Sequence, residues 1–217
     1  HSSEFAMHRI LLALLICVFF NGSLAQQGAL EQLNSMLVSI ESLKADVVQL
    51  IVESDGGILE ESKIKMYFKK PNGFYWETIT PFRELIVTNG VKLWNYQPDL
   101  EQVVIEDWDS SKSELAAQLL NGETENLGSD YQIEQLHSLD SGDHQFTLTP
   151  LATDSVYDRI SISFVTSELD QIYLNSKNGQ QTVWRFDAIE RNEFLEDSVF
   201  EFEPPAGIEI IENTYIQ

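Results

Sequence analysis

From Val47 onward, apolar and polar residues alternate with period two, and turn-forming residues break the alternation at short intervals. The segment Gln27 to Asp46 follows another rhythm. Leu30, Leu33, Met36, Leu37, Ile40 and Leu43 recur there at spacings of three and four, the stripe of an amphipathic helix. Successive side chains of a strand face opposite sides. Period two therefore predicts strands at 47–54, 61–69, 74–79, 84–88, 91–97, 101–107, 130–137, 144–149, 158–165, 168–174, 181–190 and 199–203. Asp55-Gly56-Gly57, Asn89-Gly90, Ser141-Gly142-Asp143 and Asn178-Gly179 separate these runs as hairpin turns. A second helix is predicted from Ser110 to Leu120, with Asp109 or Ser110 as N-cap and Leu115, Leu119 and Leu120 on one side.

Several strands keep one apolar parity, as in Ile160, Ile162 and Phe164 against Ser161 and Ser163. A long meander with one greasy face must close on itself or be covered. Two helices suffice only as a lid. The predicted fold is mainly β (α+β): an unclosed antiparallel half-barrel of about eleven strands, with an α-helical lid over an apolar cavity. The same pattern also fits an interior filled as a solid core, and Phe74, Trp76, Trp94 and Trp184 suit either arrangement. No linker, low-complexity tract or internal repeat interrupts the chain, so residues 26–217 read as a single domain.

One residue breaks the inward parity of 61–69 and its continuation. Ile64, Met66 and Phe68 share a face, and Lys70 is next on it, whereas Lys63, Lys65, Tyr67 and Lys69 take the other. A charge beside an apolar surface is costly without partners.

Composition narrows the function. Against 35 acidic residues stand 13 Lys and Arg, a formal net charge of −22. Such a surface repels nucleic acid and anionic lipid headgroups. HSSEF ahead of Met7 resembles a cloning remnant. Met7-His8-Arg9, the apolar run Ile10–Phe20, and the small residues up to Ala25 have the pattern of a cleavable secretory signal peptide. The run is too short to span a bilayer. The prediction is an exported, soluble protein without stable membrane insertion. The lone Cys17 falls in this leader, so the mature chain offers no disulfide, thiol nucleophile or Cys metal site. Cys17 as a lipid-attachment residue is the alternative, but Ile16 precedes it where a small residue is wanted.

No catalytic constellation is visible. The sequence lacks G-x-S-x-G, H-E-x-x-H, a P-loop and a dinucleotide-binding glycine turn. His137 and His144 flank a turn and could approach each other, but a metal site needs further ligands. The reading is a non-enzyme without cofactor or metal.

Several ordered blocks carry a family resemblance. Lys69-Lys70-Pro71-Asn72-Gly73-Phe74-Tyr75-Trp76 looks like K-R-P-x-x-F-x-W, and Leu85-Ile86-Val87-Thr88-Asn89-Gly90 resembles L-V-x-D-G. Leu93-Trp94-Asn95-Tyr96-Gln97-Pro98 with Gln102 is similar to L-W-x-Y-x-P-x-x-x-Q. Phe200-Glu201-Phe202-Glu203-Pro204-Pro205-Ala206-Gly207-Ile208 looks like F-x-F-x-P-P-x-G-V. These blocks resemble the LolA family of periplasmic outer-membrane lipoprotein carriers. The resemblance implies a monomeric periplasmic chaperone that takes acylated lipoproteins from the inner-membrane ABC transporter LolCDE and hands them to the outer-membrane receptor LolB. A LolB-like receptor, or another lipid-sensing domain of the same fold, is the alternative.

A carrier of this kind implies an apolar lining from Met66, Phe68, Phe74, Trp76, Leu85, Val87, Ile160, Ile162 and Phe164. Leu33, Met36, Leu37, Ile40, Leu115 and Leu119 would form the lid face. In the family, the basic residue before the proline is usually an arginine that hydrogen-bonds the lid backbone. Here it is Lys70, whose compact ammonium offers fewer donors than a guanidinium fork. The alternative is that Lys70 snorkels to solvent at the strand end.

Overall fold

The computed structural model describes residues 25–109, 119–120, 127–136 and 142–213. Its body is one sheet of twelve strands: β1 (Ser42–Val52), β2 (Ile58–Lys69), β3 (Gly73–Thr80), β4 (Glu84–Thr88), β5 (Lys92–Gln97), β6 (Gln102–Asp107), β7 (Tyr131–Leu136), β8 (His144–Pro150), β9 (Tyr157–Val165), β10 (Glu168–Ser176), β11 (Gln181–Arg191) and β12 (Glu209–Asn213). Their spatial order is β12-β6-β5-β4-β3-β2-β1-β11-β10-β9-β8-β7, so the sheet is unclosed. Neighbours are antiparallel except β12, which runs parallel to β6. β1 sits between the two meanders, paired to β2 on one side and β11 on the other.

The alternation in β2 does what its sequence dictates. Ser62, Ile64, Met66 and Phe68 are buried, while Lys63 and Lys65 between them are exposed. The same parity in β1, β8, β9 and β10 gives one concave apolar face. Its core joins Leu43, Ala45, Val47, Phe146, Leu148, Ile160, Ile162 and Phe164. Helix α1 (residues 25–38) lies in this core through Ala29, Leu33, Leu37 and the following Ile40. A helix this short is marginal alone in water. Fully burying each large apolar side chain contributes roughly 1.5–3 kcal/mol, so packing and not propensity holds α1 in place.

Two sequence boundaries need correction. The helix expected to reach Asp46 ends at 38, where the Ser39 hydroxyl and the Ile40 N–H bond back to the Met36 and Leu37 carbonyls. From Ser42 the chain is extended, and Leu43, counted on the helical stripe, is a buried strand residue facing Phe68. A leucine three residues after Ile40 fits either period, so the stripe ran on into the strand. The expected strand 199–203 begins instead in a 3-10 turn, Asp197–Phe200, whose Phe200 rests on Gly73. The twelfth strand is β12, which the alternation did not mark: Glu209 to Asn213 is mostly exposed on both sides. Of the second predicted helix, Leu119 and Leu120 are helical and buried in the main core. Leu115, His137 and the leader lie outside the described residues.

Candidate binding pocket and its lid

The concave face is hollow at one end and filled at the other. Beneath α1, Met66, Phe68, Ile160, Ile162 and Phe164 are all within 1% of complete burial and pack with Leu33 and Leu37. Met36 is half-buried against the same core. These expected lining residues form a solid interior in this state. Phe74 and Trp76 instead reach a cavity of about 530 Å³ that opens beside them. Their rings stack at 6.0 Å, and Trp184 meets Trp76 edge-on at 5.8 Å. The Trp184 indole N–H donates to Gln49 Oε1 at 2.7 Å, which satisfies the polar end of the ring and leaves its faces for the cavity. Glu60, Glu84 and Asp99 contribute carboxylates to the lining. Arg83, also on the lining, is bonded to Glu77.

Leu85 and Val87 are not on this face. Val87 packs with Trp94 and Val103 in a second cluster on the convex side, where Leu85, Phe202 and Ile208 join it. The register pairs Trp76 with Ile86, so Ile86 shares the concave side and lines the cavity. Three consecutive apolar residues carry no parity, and only the partner strand decides which of them faces in. Trp184, which the sequence left open between cavity and core, lines the cavity, whereas Trp94 lies in the second cluster.

Lys70 reaches α1. Its ammonium donates to the Val38 carbonyl at 2.8 Å and lies 3.4 Å from the Leu37 carbonyl. Both are C-terminal carbonyls of a helix, where the dipole favours a cation. Burial lowers the Lys70 pKa, and Glu41 opposes that shift. The side chain is thus bonded to the C-terminal carbonyls of α1 instead of extended to solvent.

Two residues that the sequence did not single out meet the same end of the helix. Asn192 donates through Nδ2 to the Ser39 carbonyl at 3.0 Å, and its Oδ1 accepts from the amide of Glu41 at 2.8 Å. The Arg191 guanidinium donates to the Ser39 hydroxyl and to the Ser167 carbonyl. Asn192 has φ of +59°, a left-handed conformation in which asparagine is enriched. That preference is the only trace of the role in the sequence.

Replacing Lys70 tests its grip. A charge-assisted bond is worth about 1.5–3 kcal/mol, so Lys70→Leu is expected to raise amide exchange in residues 33–38 by at least about tenfold. Lys70→Arg should slow it below the wild-type rate, because a planar fork can serve two adjacent carbonyls where the ammonium makes one short bond and one long one. Equal exchange in all three proteins would show that the bond contributes nothing.

His144 offers little chemistry: its Nδ1 lies 3.0 Å from Gln135 Nε2, and its ring stacks on Phe146. Among the described residues, no group of three or more His, Cys, Asp or Glu could hold a metal ion. No described helix is long and apolar enough to cross a membrane.

A family match and curated relatives point to one family. The family described as "Outer membrane lipoprotein carrier protein LolA" matches residues 38–203. An outer-membrane lipoprotein carrier protein of Hahella chejuensis is 34% identical over 188 residues, 87% of this chain and 90% of that protein. One from Chromohalobacter salexigens is 34% identical over 187 residues, covering 86% and 88%. Among solved structures, an uncharacterized conserved protein from Thermus thermophilus superposes with a TM-score of 0.54 at 11% identity. It covers 85% of this chain and 97% of its own, a likeness of fold alone.

Proposed function

This chain belongs to the LolA family of outer membrane lipoprotein carrier proteins, and from that premise we propose that it is a periplasmic carrier that buries the acyl chains of lipoproteins in its aromatic-floored cavity. The observation that supports this most directly is the cavity, in which Phe74, Trp76, Trp184 and Ile86 present apolar surface. Each buried methylene contributes about 0.8 kcal/mol, so a chain of roughly fifteen resists water by about 12 kcal/mol. Unaided escape from a membrane is then negligibly slow, and a carrier works only with an energised donor and a greasy acceptor site. The sequence carries no nucleotide-binding motif, so the energy belongs to a partner. We assign the donor role to LolCDE and the acceptor role to LolB.

Size bears on the loading state. If a methylene takes roughly the 30 Å³ of a water molecule, fifteen of them need about 450 Å³. One chain fits the open cavity of about 530 Å³. A second or third would require α1 to leave Met66 and Phe68, whose surfaces then become the rest of the site. The test is release of a purified acylated lipoprotein from proteoliposomes containing LolCDE and ATP. Lipoprotein should appear in the soluble fraction in a one-to-one complex with this protein. Lipoprotein that stays with the membrane at saturating protein overturns the proposal.

A further inference from the structure

The polar groups around the aromatic cavity are unevenly matched. Four of its donors are committed within the protein. The Trp184 indole N–H donates to Gln49, the Ser62 hydroxyl to Glu60 at 2.7 Å, the Gln97 amide to Glu84 at 3.2 Å and the Arg83 guanidinium to Glu77 at 3.4 Å. The Gln102 amide holds the Gln97 carbonyl at 2.8 Å, which keeps the Gln97 amide turned toward Glu84. Acceptors remain in surplus. A carboxylate has two oxygens with room for several hydrogen bonds, and the bonds to Glu60 and Glu84 from Ser62 and Gln97 each occupy one place. Glu60 and Glu84 are half-buried, at the starts of β2 and β4, and Asp99 is exposed in the 3-10 turn after β5. All three line the cavity.

The floor rings of Phe74 and Trp184 are buried, whereas Phe82, Asp99 and Leu100 on the same lining are exposed, so theirs is the open side. An acyl chain lying on the floor therefore brings its head to the carboxylates. A phosphate or carboxylate head would meet like charge there, in a partly shielded site where charges act more strongly than in bulk water. It would also look for donors that the protein has already engaged. A peptide N–H or an ammonium finds charged acceptors in place. We infer that Glu60, Glu84 and Asp99 are specificity-determining residues: the cavity takes a chain that leads into a neutral or cationic, donor-bearing head, as in an acylated peptide. Chains that end in an anion, such as fatty acids and acidic phospholipids, are turned away. Apolar burial alone cannot separate ligands with the same chain, so the repulsive element supplies the discrimination. This deepens the carrier reading and rests on it for the use of the cavity.

Three lauroyl tripeptide amides, ending in lysine, glutamine or glutamate, test the selectivity by fluorescence of Trp76 and Trp184 at low salt. The wild type should bind the lysine probe at least about tenfold more tightly than the glutamate probe. The triple variant Glu60→Gln, Glu84→Gln, Asp99→Asn keeps an accepting oxygen at each position. It should narrow that ratio to within about threefold, chiefly by gaining the glutamate probe, and bind the glutamine probe as wild type does. The formal net charge of −22 also favours cations, so a second triple variant changes charge equally but off the cavity lining. Glu134→Gln, Glu168→Gln and Asp187→Asn are at exposed positions and should leave the ratio as in wild type. A ratio that survives the lining substitutions, or that falls equally in both variants, overturns the selectivity alone. A glutamine probe that shows no saturable binding to the wild type overturns the pocket as an acyl site, and the selectivity falls with it.

Discussion

Trp76→Asp is expected to lower the affinity for a neutral acyl probe by at least about a hundredfold, close to 2.7 kcal/mol, while the protein stays folded. Trp76 is only half-buried, and its ring is the middle member of the Phe74–Trp76–Trp184 floor. The substitution removes an indole ring from the cavity floor and puts a carboxylate there. That charge joins Glu60, Glu84 and Asp99 on the same lining and finds no free cation among the described lining residues, since Arg83 is bonded to Glu77. An acyl chain entering such a pocket would have to dehydrate an unpaired carboxylate, which costs several times what one methylene contributes. Val165→Asp, at an exposed position on the convex side of β9, is the control and should bind as wild type. Fluorescence titration and circular dichroism on both variants suffice. Unchanged affinity in Trp76→Asp would move the acyl site away from this cavity.

Phe68→Ala is expected to cost about 3–5 kcal/mol of stability, and at roughly 2–4 °C per kcal/mol for a domain this size to lower the melting temperature by about 10 °C. Phe68 is completely buried under α1. If the space below the lid were hollow in the resting state, truncating one of its walls would cost little. In a filled core, truncation leaves a void, and that void is apolar and connected to the lid. The same variant should therefore gain acyl-probe binding as it loses stability. Thermal unfolding with and without probe reads both effects. A stable Phe68→Ala with unchanged binding would contradict a packed interior.

The residues that decide these outcomes differ in how plainly the sequence announced them. Met66, Phe68, Ile160, Ile162 and Phe164 stood out because they alternate with Lys65, Tyr67, Ser161 and Ser163, so one face of each strand was legible without a partner. Lys70 stood out for the opposite reason, as the charge that violated such a face. Leu85-Ile86-Val87 offered no such contrast, and the pairing of Ile86 with Trp76 was needed to turn the strand the right way. Whether the fully buried set is packed or lines a cavity is not legible in the sequence, because an inward apolar residue looks the same whether lid or solvent lies against it. Asn192 and Arg191 were invisible. Their partners are about 150 positions away, and a polar pair at the end of a strand resembles any exposed pair.

That distance gives β1 a further consequence, for the order of assembly. β2 to β6 and β7 to β11 each consist of neighbours in sequence that can zip as local hairpins. The seam from Leu43↔Arg191 to Val52↔Gln181 instead unites opposite ends of the chain. Loop-closure entropy makes such long-range pairing slow relative to hairpins. The two meanders should thus be born as separate sheets, and the transition state for folding should lie at their union. Arg191 and Asn192 come to Ser39 only when that seam has closed. The lid then acquires its anchorage last, as a seal on a barrel that has already joined.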